Sequence, residues 1–270
     1  MLRKARWFVL AMIVSAVAPS SSQAANIGPD SFGYEATDEV GFSFEDVSVT
    51  GTRILSGVDD AASPAGLGFT FNFYGTDFSD LFLSANGLLS FGSANAEFTN
   101  DDLSTTSPDV DVPTVAVLWD DWQFFQAGTD AAYYQTLGSP GNRRFIAQWE
   151  EAGGFSSSPS NVTLQALLFE GSNDILFQYA DVNAGNFRSN GASSTVGIRN
   201  TNGQASGENL QWSFNSDIIR DEYAIRFSTH FGEDGNGPVI PEPSSLTLMG
   251  LGLAGLGLRR RKRSPPVPAC

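Results

Sequence analysis

From Leu67 to Tyr74, Leu67, Phe69, Phe71 and Phe73 alternate with Gly68, Thr70, Asn72 and Tyr74. A period of two puts four large apolar side chains on one face of an extended strand, which a helix of period 3.6 cannot do. Runs of similar character recur at Asp80 to Ser84, Leu88 to Phe91, Thr114 to Trp119, Ala131 to Leu137, Arg144 to Trp149, Val162 to Glu170, Ile175 to Tyr179, Thr195 to Asn200 and Tyr223 to Phe227. Gly and Pro punctuate the chain between them, and no segment sustains a helical period. Asn86-Gly87 supplies the positive φ of a tight hairpin, and Gly171-Ser172-Asn173-Asp174 joins two further runs as a hairpin loop. About ten short strands bury their faces most simply as two packed antiparallel sheets. The expected fold is therefore all-β, a single β-sandwich or jelly roll over residues 26–228. Nineteen of the 21 phenylalanines lie in that body, enough for one core without disulfides, and the one cysteine is the terminal Cys270.

The charge is strongly segregated. Between Asn26 and Ile240 there are seven arginines, no lysine and 29 acids, so the body carries a formal −22. That balance excludes a nucleic-acid-binding body, which needs clustered cations, and disfavours anionic membrane surfaces. The remaining basic residues frame the chain. Arg3, Lys4 and Arg6 precede an apolar run from Trp7 to Val17 and a small polar stretch with Ser22-Gln23-Ala24, the three-part pattern of a secretory signal peptide over residues 1–25. At the other end come Pro241-Glu242-Pro243, an apolar run from Leu246 to Leu258, and Arg259 to Arg263. As a helix that run reaches only ~20 Å of a ~30 Å hydrocarbon core, and its glycines weaken it further. The basic cluster beyond it holds the C-terminus in the cytoplasm and leaves the body outside. Thr229 to Ile240, with His230 and several glycines, reads as a flexible linker.

The order Pro-Glu-Pro, Gly-interrupted apolar run and basic cluster over residues 241–263 resembles the PEP-CTERM protein-sorting signal of Gram-negative bacteria. The resemblance implies an exosortase as processing partner, with transient anchoring in the inner membrane and final placement at the cell surface or outside it. It also implies association with exopolysaccharide or biofilm matrix. Residues 264–270 extend past the point where such tails usually end.

A second resemblance rests on Phe71-Asn72-Phe73-Tyr74-Gly75, Leu83-Ser84-Ala85-Asn86-Gly87-Leu88-Leu89-Ser90-Phe91-Gly92 and Val117-Leu118-Trp119-Asp120-Asp121. It continues through Arg144 to Trp149, Gln165 to Gly171, Asp174 to Tyr179 and Val196 to Asn200. This order is similar to bacterial extracellular domains of the nidogen-like (NIDO) kind. It implies a β-rich module tied to adhesion or matrix, with no catalytic residues to carry over.

Chemistry-bearing residues are sparse. His230 sits in the linker, so no Ser-His-Asp or Cys-His arrangement forms in the core, and no catalytic residue is assigned. An alternative is a polysaccharide hydrolase with two carboxylates, Glu150 and Glu170 being the first pair to consider. Acids that end strands commonly serve only solvent and turns, and that reading has the greater weight. In Trp119-Asp120-Asp121-Trp122, two rings flank two acids. Trp119 and Trp122 suit a sugar face, and Asp120 and Asp121 with Asp109 and Asp111, and nearby Asp101 and Asp102, suit a bound Ca²⁺. The plainer reading places Trp119 in the core and lets Asp120-Asp121 open the following turn. Asn161-Val162-Thr163 matches the N-glycosylation pattern by chance. The expectation is an exported, non-enzymatic surface or matrix protein with no required cofactor and with a Ca²⁺ site left open, since no run has the EF-hand spacing.

Overall fold

The computed structural model describes residues 25–105, 112–125, 128, 130–156 and 161–231. All of the expected signal peptide but Ala25, all of the sorting tail, and all of the linker but Thr229 to Phe231 fall outside these residues. Fifteen strands run in chain order: β1 (Asn26–Ile27), β2 (Glu35–Thr37), β3 (Thr52–Leu55), β4 (Ala62–Phe73), β5 (Thr76–Ser84), β6 (Leu88–Ser90), β7 (Thr114–Trp119), β8 (Trp122–Gln123), β9 (Ala131–Leu137), β10 (Arg144–Gly154), β11 (Asn161–Phe169), β12 (Ile175–Asp181), β13 (Thr195–Arg199), β14 (Asn209–Phe214) and β15 (Tyr223–Ser228). One short helix, α1 (Gly203–Ser206), and a 3₁₀ turn at Ser189–Gly191 complete the regular structure of the described residues.

All pairings are antiparallel, and they form two sheets. The larger has the order β1-β2-β15-β12-β11-β10-β9-β3 with β8 added to β10, and the smaller has the order β14-β13-β7-β6-β5-β4. The fold is thus the expected all-β, sandwich-like single domain. Among the described residues no helix is long and apolar enough to cross a membrane.

Alternation builds the core as expected. In β4, Ala65, Leu67, Phe69, Phe71 and Phe73 are buried while Gly66, Gly68 and Thr70 face solvent. They meet Phe145, Ala147 and Trp149 of β10, Leu164, Ala166 and Leu168 of β11, and Phe177 of β12 in one cluster between the sheets. Two buried polar tips cross that core to backbone carbonyls of the opposite sheet, Trp149 Nε1 donating to Ser84 O at 2.7 Å and Tyr179 OH to Val117 O at 2.7 Å. A buried donor left without a partner would cost ~1–3 kcal/mol, so these bonds fix how the sheets sit on one another.

One hairpin departs from expectation. Tyr74 does not extend β4. It occupies the turn before Gly75, with φ of 48° and 79° at the two positions. A bulky residue in that region is unusual. Here the Tyr74 hydroxyl donates to Asp30 Oδ2 at 2.8 Å, and its ring packs edge-on against Tyr34 and Phe73. These contacts were invisible locally.

The outer face of the large sheet is partly covered. Ile146 and Gln148 of β10, Gln165 and Leu167 of β11, and Leu176 and Gln178 of β12 point away from the sandwich core, and residues 41–47 cross over them. Val47 packs there with Ile146, Leu167, Leu176 and Ala224 as a second, smaller apolar cluster.

Candidate functional site

The Asp120-Asp121 pair lies where β7 ends and β8 begins, and the two acids have opposite fates. Asp120 is buried. Its Oδ1 accepts from Arg188 Nε at 3.1 Å, and its Oδ2 accepts from Ser193 Oγ at 2.6 Å and Ser194 Oγ at 3.0 Å. With its oxygens committed to a buried cation and two hydroxyls, it is a structural anchor, which corrects the reading of Asp120 as a Ca²⁺ ligand. The flanking rings are corrected as well. Trp119 is 0 % exposed and donates to Glu97 O, and Trp122 is 1 % exposed and donates to Leu118 O. Neither can stack on a sugar, so the plainer reading of this motif holds. Asp109 and Asp111 lie outside the described residues, and Asp102 accepts from Ser104 within its own turn.

Asp121 is half-buried and gains partners the sequence did not suggest. An isolated bridge between Val58 and Phe124, with Phe124 N donating to Val58 O at 2.8 Å, draws the segment after β3 alongside the segment after β8. Asp59 and Asp60 thereby meet Asp121, with one carboxylate oxygen of each within 4.8 Å of the others. Asp60 Oδ1 accepts from Asn86 Nδ2, whereas the buried Asp59 Oδ1 has no hydrogen-bond partner among the described residues. Hard oxygen donors at this spacing are the type Ca²⁺ takes. The only local hint was a further Asp-Asp pair, Asp59-Asp60, between two strands.

Arg188 ties the surrounding loops together. Beyond Asp120, it approaches Asp121 Oδ2 at 3.5 Å, donates from Nη1 to Phe155 O, and stacks its guanidinium over the Phe187 ring at 4.6 Å. Phe155 is held in turn by its N–H to Asp121 O. Phe155 is 44 % and Phe187 67 % exposed, so the accessible aromatic rings beside the motif belong to these two loops and not to Trp119 and Trp122. Loop aromatics carry no strand period, which is why they were missed.

Burial pushes the Asp121 carboxyl up to about 6, and Asp59, Asp60 and Asp120 add to that rise against the opposing pull of Arg188. A carboxyl raised in the folded state keeps its proton longer there than in the unfolded chain. The resulting cost to stability is absent below the unfolded value near 4, grows through the window from about 4 to about 6, and is complete above it. Asp121→Asn is therefore expected to be more stable than the parent by about 1 kcal/mol at pH 7.5, discounted for partial solvent access and the lost Arg188 pairing, and to match it near pH 4. Thermal melts at the two pH values check this. An equal gain at both would place the cost elsewhere.

The Glu150 and Glu170 pair does not come together. Arg144 of β10 faces Phe169 beside Glu170, while Glu150 lies six residues further along β10, facing Ala131 on the next strand. At ~3.3 Å per residue they are ~20 Å apart, against the ~5 to ~9.5 Å that glycoside hydrolysis requires. Glu170 is held by Arg143 at 2.6 and 2.8 Å, which keeps its carboxyl down at about 2. Glu150, raised by burial, instead lines an open groove of about 440 Å³ with Glu151, Thr163, Asp181, Asn183 and Asp221.

A family model of NIDO-related domains matches residues 33–225, and one of the PEP-CTERM protein-sorting motif matches residues 239–262. No curated protein and no solved structure matches the chain significantly.

Proposed function

The chain belongs to the NIDO-related family and carries a PEP-CTERM tail, and on that premise we propose that it is a non-enzymatic matrix or adhesion module that binds extracellular polysaccharide. The tail marks it as an exported protein sorted by an exosortase, with a C-terminal segment of membrane-anchor type. The ligand sits at the loop end of the sandwich. The observation that carries it is that exposed Phe155 and Phe187 are tied through Asp121 and Arg188 to the loop that holds the Asp59, Asp60 and Asp121 carboxylates. Aromatic faces stack on sugar rings, and a Ca²⁺ ion held by the three acids would bridge hydroxyl or carboxylate groups of the same polymer. The acidic body favours this use of Ca²⁺, since an anionic matrix polymer and a body of formal charge −22 repel one another without a bridging cation.

Affinity electrophoresis tests the reading, in gels containing acidic or neutral polysaccharides, with and without Ca²⁺. The protein is expected to be retarded by at least one acidic polymer, more so with Ca²⁺ than with Mg²⁺ at equal ionic strength. The double variant Phe155→Ala, Phe187→Ala should migrate freely, and Asp59→Asn should lose only the Ca²⁺ increment. Free migration of the parent in every gel, or release of reducing ends from any polymer, rejects the proposal, the second outcome in favour of an enzyme.

A further inference from the structure

Three glutamines stand side by side on the outer face of the large sheet. Gln148 of β10 faces Gln165 of β11, and Gln165 faces Gln178 of β12, at 0 %, 0 % and 1 % exposure. Directly opposed side chains in antiparallel strands have Cβ atoms ~4.5–5.5 Å apart, so the three amides form one continuous row across the strands. Residues 41–47 cross this row and belong to no strand or helix.

The outer two glutamines clamp the crossing chain by its backbone. Gln178 Oε1 accepts from Ser43 N, and its Nε2 donates to Ser43 O at 2.8 Å. Gln148 Oε1 accepts from Val47 N at 2.8 Å, and its Nε2 donates to Asp46 Oδ1 and to Glu150 Oε2. Between the clamps, Glu45 pairs with Arg144 at the exposed margin of the sheet. A turn with Gly51 N donating to Val47 O closes the far end. The middle glutamine behaves differently. Neither Oε1 nor Nε2 of Gln165 has a hydrogen-bond partner among the described residues, although both atoms are buried.

An amide buried without its hydrogen bonds is unfavourable, and water would satisfy it at once if the covering chain lifted. The apolar contacts of Val47 with Ile146, Leu167, Leu176 and Ala224 and the two clamps favour the closed position, while Gln165 opposes it. A segment lacking ladder hydrogen bonds, tied at few points and lying over an unsatisfied polar group, has the makings of a local opening unit. We propose that residues 41–47 are a strap that opens as a unit over the large sheet while the sandwich stays folded, and that Gln165 is the group that drives it open. Opening exposes the glutamine row, which already binds the main chain of one extended segment, together with the apolar stripe beside it.

Hydrogen exchange on the intact chain in rising urea tests this, read at the Ser43 and Val47 amides against those of β10, β11 and β12. The strap amides should exchange through an opening nearly insensitive to urea, whereas the strand amides follow global unfolding. Gln165→Leu and the closer-shaped Gln165→Met remove the unpaired amide, and each should slow strap exchange by about tenfold. Gln178→Leu, which removes both bonds to Ser43, should accelerate it. If Ser43 and Val47 show the same urea dependence as the strands, the strap does not open separately. Faster strap exchange in Gln165→Met would equally overturn the proposal, because the amide would then be holding the strap down.

Discussion

Replacing Asp120 with alanine is expected to cost about 3–5 kcal/mol, a fall of roughly 10 °C in the melting temperature. The Arg188 and Asp120 side chains are 9 % and 7 % exposed, so the variant leaves a guanidinium desolvated without its nearest carboxylate and frees the hydroxyls of Ser193 and Ser194. The loss should spread to the loop end, because Arg188 also holds the Phe155 carbonyl and the Phe187 ring. Asp120→Asn keeps an oxygen for the hydroxyls and should cost visibly less. Urea melts of the two variants decide the matter. A loss below about 1 kcal/mol in Asp120→Ala would mean that Arg188 re-pairs with Asp121 and that the buried network does not hold the loops.

Gly87→Ala should be at least as damaging, for a steric reason. Gly87 adopts φ of +74°, and a Cβ there would lie 2.3 Å from Leu118 O and 2.8 Å from Leu118 C. Both atoms belong to the backbone of β7, whose Val117 N donates to Gly87 O at 2.9 Å, so neither side of the contact can yield without breaking the sheet. Positive φ alone costs an L-residue ~1–2 kcal/mol, and overpacking typically adds ~1–3 kcal/mol, more where only backbone can move. Gly92 provides the control, having φ of +80° but nothing within 4 Å of where a Cβ would lie. Gly92→Ala should lose only the conformational part and stay folded by near-ultraviolet circular dichroism, while Gly87→Ala should lose that signal or fail to accumulate. Equal behaviour of the two would refute the steric account.

Legibility varied with how local the cause was. β4 and the strands from β10 to β12 were readable because each buries one face or both, leaving a run of apolar residues in the sequence. The strands β1, β2, β3, β8 and β14 were not, since they are short or lie at sheet edges and bury little. Asp120 and Asp121 are identical neighbours in the sequence. Only the arrival of Arg188, Ser193 and Ser194 on one side and of Asp59 and Asp60 on the other makes one a buried anchor and the other a half-buried member of an acidic cluster.

The sequence by itself determined the class of fold and the fact of export. Side-chain alternation, Gly-bearing turns and the framed charges act over a few residues, where backbone geometry and solvation leave little choice. The tertiary structure alone decided which residues meet at the loop end and beneath the strap. Asp59 and Asp121, or Ser43 and Gln178, are far apart along the chain, and their contact depends on strand register and bridge pairs that no local pattern encodes.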